Sequence, residues 1–172
     1  MIISFIGFMG AGKSTIAKRL SRLLSSPHID LDSYIEAEEG MTIQEIFSIS
    51  GETEFRKMEE RYLKELIDSN TRKVLLLSLG GGSLISDSNR QIIKDNTTCI
   101  YLKGSAETLT KRLSKSRKVR PMIIDKGPYD LKNHIESLLD GREKQYVDTA
   151  SITIEIDGLS ANEIIERILR SI

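Results

Sequence analysis

A glycine-rich octapeptide near the start of the chain constrains the fold more than any other feature. Residues 7–14 read GFMGAGKS, which matches the pattern GxxxxGK[ST] of loops that bind phosphate. An apolar run at 2–6 precedes the motif, and residues 13–24 carry apolar side chains at helical spacing. A strand, a glycine loop and a helix in this order form a cradle of inward backbone N–H groups at a helix N-terminus. The motif therefore predicts a nucleoside triphosphate site.

Carboxylates elsewhere in the chain are candidates for the chemistry at this site. In the motif, Lys13 is predicted to reach the β- and γ-phosphates and Ser14 to bind Mg²⁺. The apolar run 74–79 ends in glycines, so it offers no acidic residue as a second metal ligand. Asp30 and Asp32 lie at the end of a short predicted strand, and in an extended segment their side chains point to one side. One can serve Mg²⁺ and the other can orient an attacking hydroxyl. The alternative is that Asp32 only caps the next helix.

The composition indicates one ordinary globular domain over residues 1–172. Hydrophobic residues make up 39% of the chain, which is enough for one buried core. The 25 basic and 25 acidic residues balance, so the chain is not expected to bind nucleic acid or a membrane surface. Cys99 is the single cysteine, so an internal disulfide is not possible. No targeting segment is visible in the sequence. These features fit a cytoplasmic protein, with a monomer as the default expectation.

Apolar runs alternate with amphipathic stretches along the whole chain. This alternation predicts an α/β fold in which helices cover both faces of a parallel sheet. Two segments, starting at Thr42 and Ser160, carry the capping-box pattern that opens a helix. The five predicted strands are residues 2–6, 28–31, 74–79, 98–102 and 152–156.

Arginines beside turn signals indicate an anionic substrate. The chain lacks the [NT]KxD string of GTPases, and its small size favours a small-molecule kinase. Arg56, Arg120 and Arg142 are suited to hold a carboxylate or phosphate in a bidentate fork. Each of them, taken singly, is also typical of a surface ion pair. The basic run 111–120, followed by Pro121, is either a solvated face or a mobile lid over the transferring phosphoryl group.

Six short strings are spread along nearly the whole chain: GFMGAGKST at 7–15, DLD at 30–32, GETEFRKMEE at 51–60, LSLGGG at 77–82, VRP at 119–121 and REKQY at 142–146. In this order and at this spacing, they resemble the shikimate kinase family. The resemblance implies ATP-dependent phosphorylation of the 3-hydroxyl of shikimate, giving shikimate 3-phosphate and ADP, in the biosynthesis of chorismate and the aromatic amino acids. It also implies a three-layer P-loop kinase fold with sheet order 2-3-1-4-5, a substrate-binding region at about 32–60 and a mobile lid at about 112–124.

The resemblance implies a magnesium-dependent ATP site at the phosphate loop. Ser14 would ligate Mg²⁺, Asp30 would hold the ion through water, and Ser78 would assist from the strand before the glycines. The residues that would cradle the ATP phosphates are Gly10, Ala11, Gly12, Lys13, Ser14 and Thr15.

Three arginines between residues 112 and 120 resemble the nucleotide-binding residues of the family. Arg120 is similar to the lid arginine that reaches the phosphates, and it is expected to act with Lys13 in catalysis. Arg112 lies where the family often stacks an arginine on adenine, and Arg117 is the alternative for that position. Residues 156–160 match the family's adenine loop poorly, so no adenine contact is assigned there.

The same resemblance implies an acceptor site. Asp32 would bind the hydroxyl groups of shikimate and act as the base or orient it. Arg56 and Arg142 would clamp the carboxylate. The backbone that approaches the substrate ring belongs to Gly80, Gly81 and Gly82. His28 and His134 match no role.

Two other functions remain open from the sequence. One is phosphorylation of another small acceptor, such as gluconate or a nucleoside monophosphate. The other is a non-catalytic module that keeps only the ATP site. The presence of Asp32, Arg56 and Arg142 favours a kinase for a small polyhydroxy acid over both.

Overall fold

A five-stranded parallel sheet forms the centre of the molecule. The computed structural model describes residues 1–115 and 128–172. Every neighbouring pair of strands is parallel, and the spatial order is β2-β3-β1-β4-β5, which confirms the predicted order. The strands are β1 (Ile2–Ile6), β2 (His28–Asp30), β3 (Leu75–Ser78), β4 (Thr98–Lys103) and β5 (Ile152–Glu155).

Helices cover the sheet on both faces and give the predicted three layers. A 3₁₀ turn, Ser83–Ile85, follows the glycines after β3. Of the predicted lid, about 112–124, residues 116–124 lie outside the described residues. The helices in the described ranges are α1 (Lys13–Leu23), α2 (Leu31–Glu39), α3 (Ile43–Asp68), α4 (Asp87–Asn96), α5 (Ala106–Ser114), α6 (Pro128–Thr149) and α7 (Ala161–Ser171).

The central strand β1 is buried on both sides because it separates two apolar clusters. Its residues Ile3 and Phe5 pack into a cluster with helices α1, α5 and α7. Ile2 and Ile6 pack into a second cluster with α2, α3 and α4. Such two-sided burial explains why the strand reads as a continuous apolar run rather than an alternating one. The phosphate loop leaves the sheet from the end of this rigid strand.

The two predicted capping boxes are confirmed. The hydroxyl of Thr42 accepts from the backbone N–H of Glu45, and the Glu45 carboxylate accepts from the Thr42 N–H at 2.8 Å. Ser160 and Glu163 form the same reciprocal pair at the start of α7. Within α3, Gly51 has non-helical angles (φ 78°, ψ 170°), so α3 consists of two helical segments joined at a kink.

One local expectation about the acidic pair is wrong. Helix α2 begins at Leu31, so Asp32 lies in the first helical turn rather than in an extended segment. Asp30 is the N-cap, and its Oδ1 accepts from the Ser33 N–H at 3.3 Å. A helix N-cap needs a side-chain acceptor at the last extended residue, and Asp30 supplies it.

Cys99 lies in the middle of the sheet, on β4, and is fully buried. Burial raises the pKa of its thiol to about 12. The side chain therefore packs in the apolar interior, in the cluster that also holds Ile2 and Ile6. In the described parts of the chain, no helix has the length and apolar character needed to cross a bilayer.

Gly7, which follows β1, should not tolerate a side chain. It has φ 139°, and a Cβ atom there would lie 2.7 Å from the carbonyl oxygen of Leu102. We expect Gly7→Ala to destabilise the fold by roughly 3 kcal/mol, since strained backbone and a backbone clash add. That loss corresponds to a fall in Tm of about 6–12 °C for a chain of this size.

The matched control is Gly40→Ala, because Gly40 also has positive φ (66°) but a Cβ there would meet nothing within 4 Å. This change should cost only about 1 kcal/mol, the price of the left-handed conformation alone. Thermal unfolding followed by circular dichroism measures both. Equal Tm losses for the two variants would show that the Leu102 contact does not constrain Gly7.

Candidate active site

The candidate site lies where three neighbouring parallel strands end. The phosphate loop follows β1, Asp30 ends β2 and Ser78 ends β3, with Asp30 and Ser78 paired in register. Carboxyl ends of parallel strands meet at one edge of a sheet, so loops from distant parts of the sequence converge there. The residues that the sequence predicts for the nucleotide and the acceptor therefore share one edge.

The phosphate loop has the backbone that its glycines allow. Gly10 (φ 83°) and Gly12 (φ 95°) adopt left-handed conformations, and Gly12 caps the N-terminus of α1. The side chain of Lys13 is buried, and its Nζ donates to the carbonyl oxygens of Gly7 (2.7 Å) and Phe8 (3.2 Å). The ammonium group thus lies inside the curve of the loop, where positive charge attracts phosphate oxygens.

Ser14 and Asp30 form the predicted pair for a metal ion. The hydroxyl of Ser14 donates to Asp30 Oδ2 at 2.5 Å. The structure thus brings the first residue of one helix and the cap of the next into contact. A hydroxyl and a carboxylate are oxygen ligands of the kind that Mg²⁺ takes, so the donor set fits the ion.

Beside the loop lies a cavity of about 300 Å³, which we call the nucleoside cavity because the sequence predicts that the nucleotide binds at this loop. Arg112 lines it and is held there by a hydrogen bond from Nη1 to the Ala11 carbonyl oxygen at 3.0 Å. Arg117 and Arg120 lie outside the described residues. The remaining lining residues are Gly10, Gly12, Thr15, Ile16, Ala161 and Ile164.

The sequence does not reveal that α7 contributes to this cavity. Ala161 and Ile164 lie in the first turns of a helix that is remote in sequence from the loop, and small apolar residues carry no chemical signature. In the loop before α7, the side chain of Asp157 accepts a hydrogen bond from the Ser105 backbone N–H at 3.0 Å. Burial alone would raise the pKa of Asp157, but hydrogen bonds from Thr108 and Ser105 lower it below its usual range. This carboxylate ties the loop 156–160 to the start of α5.

The three glycines after β3 are needed for close approach rather than for unusual dihedral angles. None of them has positive φ. A Cβ atom on Gly80 would lie 2.8 Å from Asp32 Oδ1, and one on Gly82 would lie 2.6 Å from Arg56 Nη2. Side chains at these positions would displace the carboxylate or the guanidinium. The glycines therefore let charged groups rest against the backbone.

Each glycine of this platform, which we define as residues 80–82, has one charged side chain beside it. Asp32 lies against Gly80 and Arg56 against Gly82. Arg142, from α6, donates from Nη1 to the carbonyl oxygen of Gly81 at 3.2 Å. Its guanidinium carbon also lies 5.9 Å from the centre of the Phe8 ring in the phosphate loop. The structure thus brings together the carboxylate and the two arginines predicted for the acceptor.

Two acidic residues that the sequence did not single out hold Arg56. Its Nη1 donates to Glu59 Oε2 at 2.8 Å and its Nη2 to Glu52 Oε1 at 3.1 Å. Glu59 is fully buried and also accepts from the hydroxyl of Ser83. Burial alone would lower the pKa of Arg56, but the two carboxylates raise it above its usual value. Their spacing of four and three residues from Arg56 on one helix is the signal that could have found them.

His28, which matched no role in the sequence analysis, contacts Ser78 at the end of β3. Its Nε2 is 2.9 Å from the hydroxyl oxygen of Ser78. Burial lowers the pKa of His28, with Asp30 opposing that effect. The ring thus packs behind Ser78.

Comparisons with known proteins identify relatives that share this fold and sequence. A model of the shikimate kinase family matches residues 9–172. The shikimate kinase of Enterococcus faecalis is 36% identical over 171 residues, covering 99% of this chain and 97% of that protein. Shikimate kinase from Bacteroides thetaiotaomicron superposes with a TM-score of 0.92 at 28% identity, over 99% of this chain and 97% of that one.

A second solved structure carries an acceptor. Shikimate kinase from Acinetobacter baumannii, in complex with shikimate, is 34% identical with a TM-score of 0.88, over 99% of this chain and 91% of that one. The family match begins within the phosphate loop and continues through the glycine platform and α6. The resemblance read from six short strings is thus confirmed over the whole fold, and the chain belongs to the shikimate kinase family.

Proposed function

We propose that the protein transfers the γ-phosphoryl group of ATP to the 3-hydroxyl of shikimate, giving shikimate 3-phosphate and ADP for aromatic amino-acid biosynthesis. The observation that carries this proposal is the glycine platform with its three charged neighbours, lying against the phosphate loop. A Cβ atom on Gly81 would be 3.3 Å from the backbone nitrogen of Met9, so the two loops touch. When the acceptor and donor sites are in contact, a hydroxyl of the acceptor can lie next to the terminal phosphate of ATP.

The platform is suited to a small polyhydroxy acid. Arg56 and Arg142 bind the acceptor carboxylate, which fixes the ring in one orientation. Asp32 accepts a hydrogen bond from the reacting hydroxyl and takes its proton as the new O–P bond forms. A nucleophilic side chain is unnecessary because the hydroxyl attacks the phosphorus directly. The complex of the related Acinetobacter baumannii enzyme with shikimate supports this acceptor.

The donor side stabilises the transferring group by charge. The cradle consists of Gly10, Ala11, Gly12, Lys13, Ser14 and Thr15. Lys13 would turn from its loop carbonyls to the β- and γ-phosphates. Ser14 and Asp30 would hold Mg²⁺, Asp30 through water, and the bound ion would supply positive charge that neutralises the phosphates. Ser78 assists Asp30 from the adjoining strand.

We also propose the division of the single domain, residues 1–172, into functional regions. Residues of about 32–60 bind the acceptor, and residues of about 112–124 form the lid. Arg112 stacks on adenine, as its place in the nucleoside cavity supports. Arg120 and Arg117 are assigned to the phosphates and the nucleotide by family resemblance alone. We expect the enzyme to act as a cytoplasmic monomer.

ADP release with Mg-ATP tests the proposed function. Shikimate, gluconate, AMP and CMP are compared with a reaction that has no acceptor, and a parallel set omits Mg²⁺. We expect stimulation by shikimate alone, and only with the metal present. Stimulation by gluconate or a nucleotide instead would reject the acceptor assignment while leaving the phosphate-loop assignment intact. Full activity without any divalent cation would reject the roles of Ser14 and Asp30 as metal ligands.

A further inference from the structure

The hydroxyl of Tyr146 is a buried polar group that the reaction described above does not use. Only 1% of Tyr146 is exposed, and its ring stacks on Tyr101 with centroids 5.0 Å apart. The hydroxyl donates to the carbonyl oxygen of Gly81 at 2.7 Å. Tyr146 thus contacts Gly81, the middle residue of the glycine platform, through its backbone carbonyl.

The Gly81 carbonyl oxygen has a second donor, Arg142. Arg142 and Tyr146 are four residues apart on α6, so their side chains leave the same face of the helix. Nη1 of Arg142 is 3.2 Å from the oxygen, and the Tyr146 hydroxyl is 2.7 Å from it. A carbonyl oxygen has two lone pairs, and these two bonds occupy both. Burial raises the pKa of Tyr146 to about 12, so its hydroxyl remains a donor at neutral pH.

We propose that Tyr146 is a positioning residue for acceptor binding: it keeps the Gly81 carbonyl hydrogen-bonded, so that Arg142 can turn toward the acceptor carboxylate. The inference rests on the proposed role of Arg142. A guanidinium that moves to a substrate must give up part of its bonding to the protein. With the Tyr146 hydroxyl in place, the carbonyl that Arg142 leaves keeps one strong donor. Without it, binding the acceptor would strip this oxygen of both donors.

The test is Tyr146→Phe, with Tyr101→Phe as the matched control. Tyr101 belongs to the same stacked pair, but its hydroxyl donates to Glu143 at 2.7 Å and not to the platform. We expect Tyr146→Phe to raise the KM for shikimate roughly tenfold, the cost of one lost hydrogen bond to a partly buried carbonyl. The kcat and the KM for ATP should stay within about twofold, because the transferring group is not touched. Tyr101→Phe should leave the KM for shikimate unchanged.

A double-mutant cycle separates positioning from loose packing. In an Arg142→Ala background, Tyr146→Phe should add no further increase in the KM for shikimate, because the group it serves is gone. Additive effects would overturn the proposal, and so would an equal KM increase in Tyr101→Phe. Both tyrosine variants keep their rings, and thermal unfolding checks that they are folded. If Tyr146→Phe has a low Tm, the same KM comparison is made at low temperature.

The result also distinguishes this inference from the proposed function. If shikimate does not stimulate ADP release by the unaltered enzyme, the proposed function itself is wrong. If the unaltered enzyme is active and Tyr146→Phe has an unchanged KM, only the role of Tyr146 is overturned.

Discussion

Replacing Asp32 with asparagine should lower kcat with shikimate by about 10²–10⁴-fold, the range that a positioned proton acceptor contributes. Asparagine keeps the shape of the side chain beside Gly80 but cannot take the proton of the attacking hydroxyl. The Kd for ATP should be nearly unchanged, because Asp32 contacts the glycine platform and the nucleoside cavity is lined by other residues. Steady-state ADP release and nucleotide titration measure the two quantities.

Glu38→Gln is the matched control for this change. Glu38 lies on the same helix and is exposed, so removal of its charge should leave kcat unaltered. A kcat for Asp32→Asn within about threefold of the parent would reject a proton-accepting role, since even weak acid–base catalysis exceeds that factor. A large rise in the Kd for ATP would instead indicate that Asp32 supports the nucleotide site.

Removing the guanidinium of Arg142 should have the second-largest effect, on the acceptor side. We expect Arg142→Ala to raise the KM for shikimate by about 10–150-fold, because a hydrogen bond to a charged group contributes roughly 1.5–3 kcal/mol. The KM for ATP should change little. Acceptor titrations at saturating ATP measure the effect.

Arg142→Lys separates charge from geometry, because it keeps the positive charge and removes the bidentate guanidinium group. Lysine cannot donate two parallel hydrogen bonds to one carboxylate. The KM of Arg142→Lys for shikimate should therefore lie between those of the parent and the alanine variant. An unchanged KM in Arg142→Ala would mean that Arg56 alone holds the carboxylate. In that case, the contact between Arg142 and Gly81 would serve only to fix α6 on the platform.

The phosphate loop and the sheet order could be predicted because their signals are local. A strand, a glycine loop and a helix are contiguous in sequence, and each apolar run marks one strand. The local conformation of Asp32 could not be predicted, because α2 begins at Leu31, within the segment predicted to be extended. Asp30 and Asp32 nevertheless reach the two predicted places, the phosphate loop and the platform.

The burial of the groups that support the site could not be predicted, because it depends on packing between distant elements. The spacing of Glu59 from Arg56 predicts an ion pair, but its complete burial against Ser83 has no signal in the sequence. Tyr146 meets Gly81 across 65 positions of the chain. No periodicity in either segment encodes that contact.

The burial of Cys99 gives the protein an internal reporter of unfolding. Its strand lies between β1 and β5, so the sulfur becomes accessible only when the interior of the sheet opens. A thiol with a pKa of about 12 holds almost no thiolate at neutral pH, which makes the folded state inert to alkylating dyes. With one cysteine in the chain, the labelling rate reports opening at a single site. The dependence of labelling rate on acceptor or nucleotide concentration would therefore give ligand affinities without any turnover.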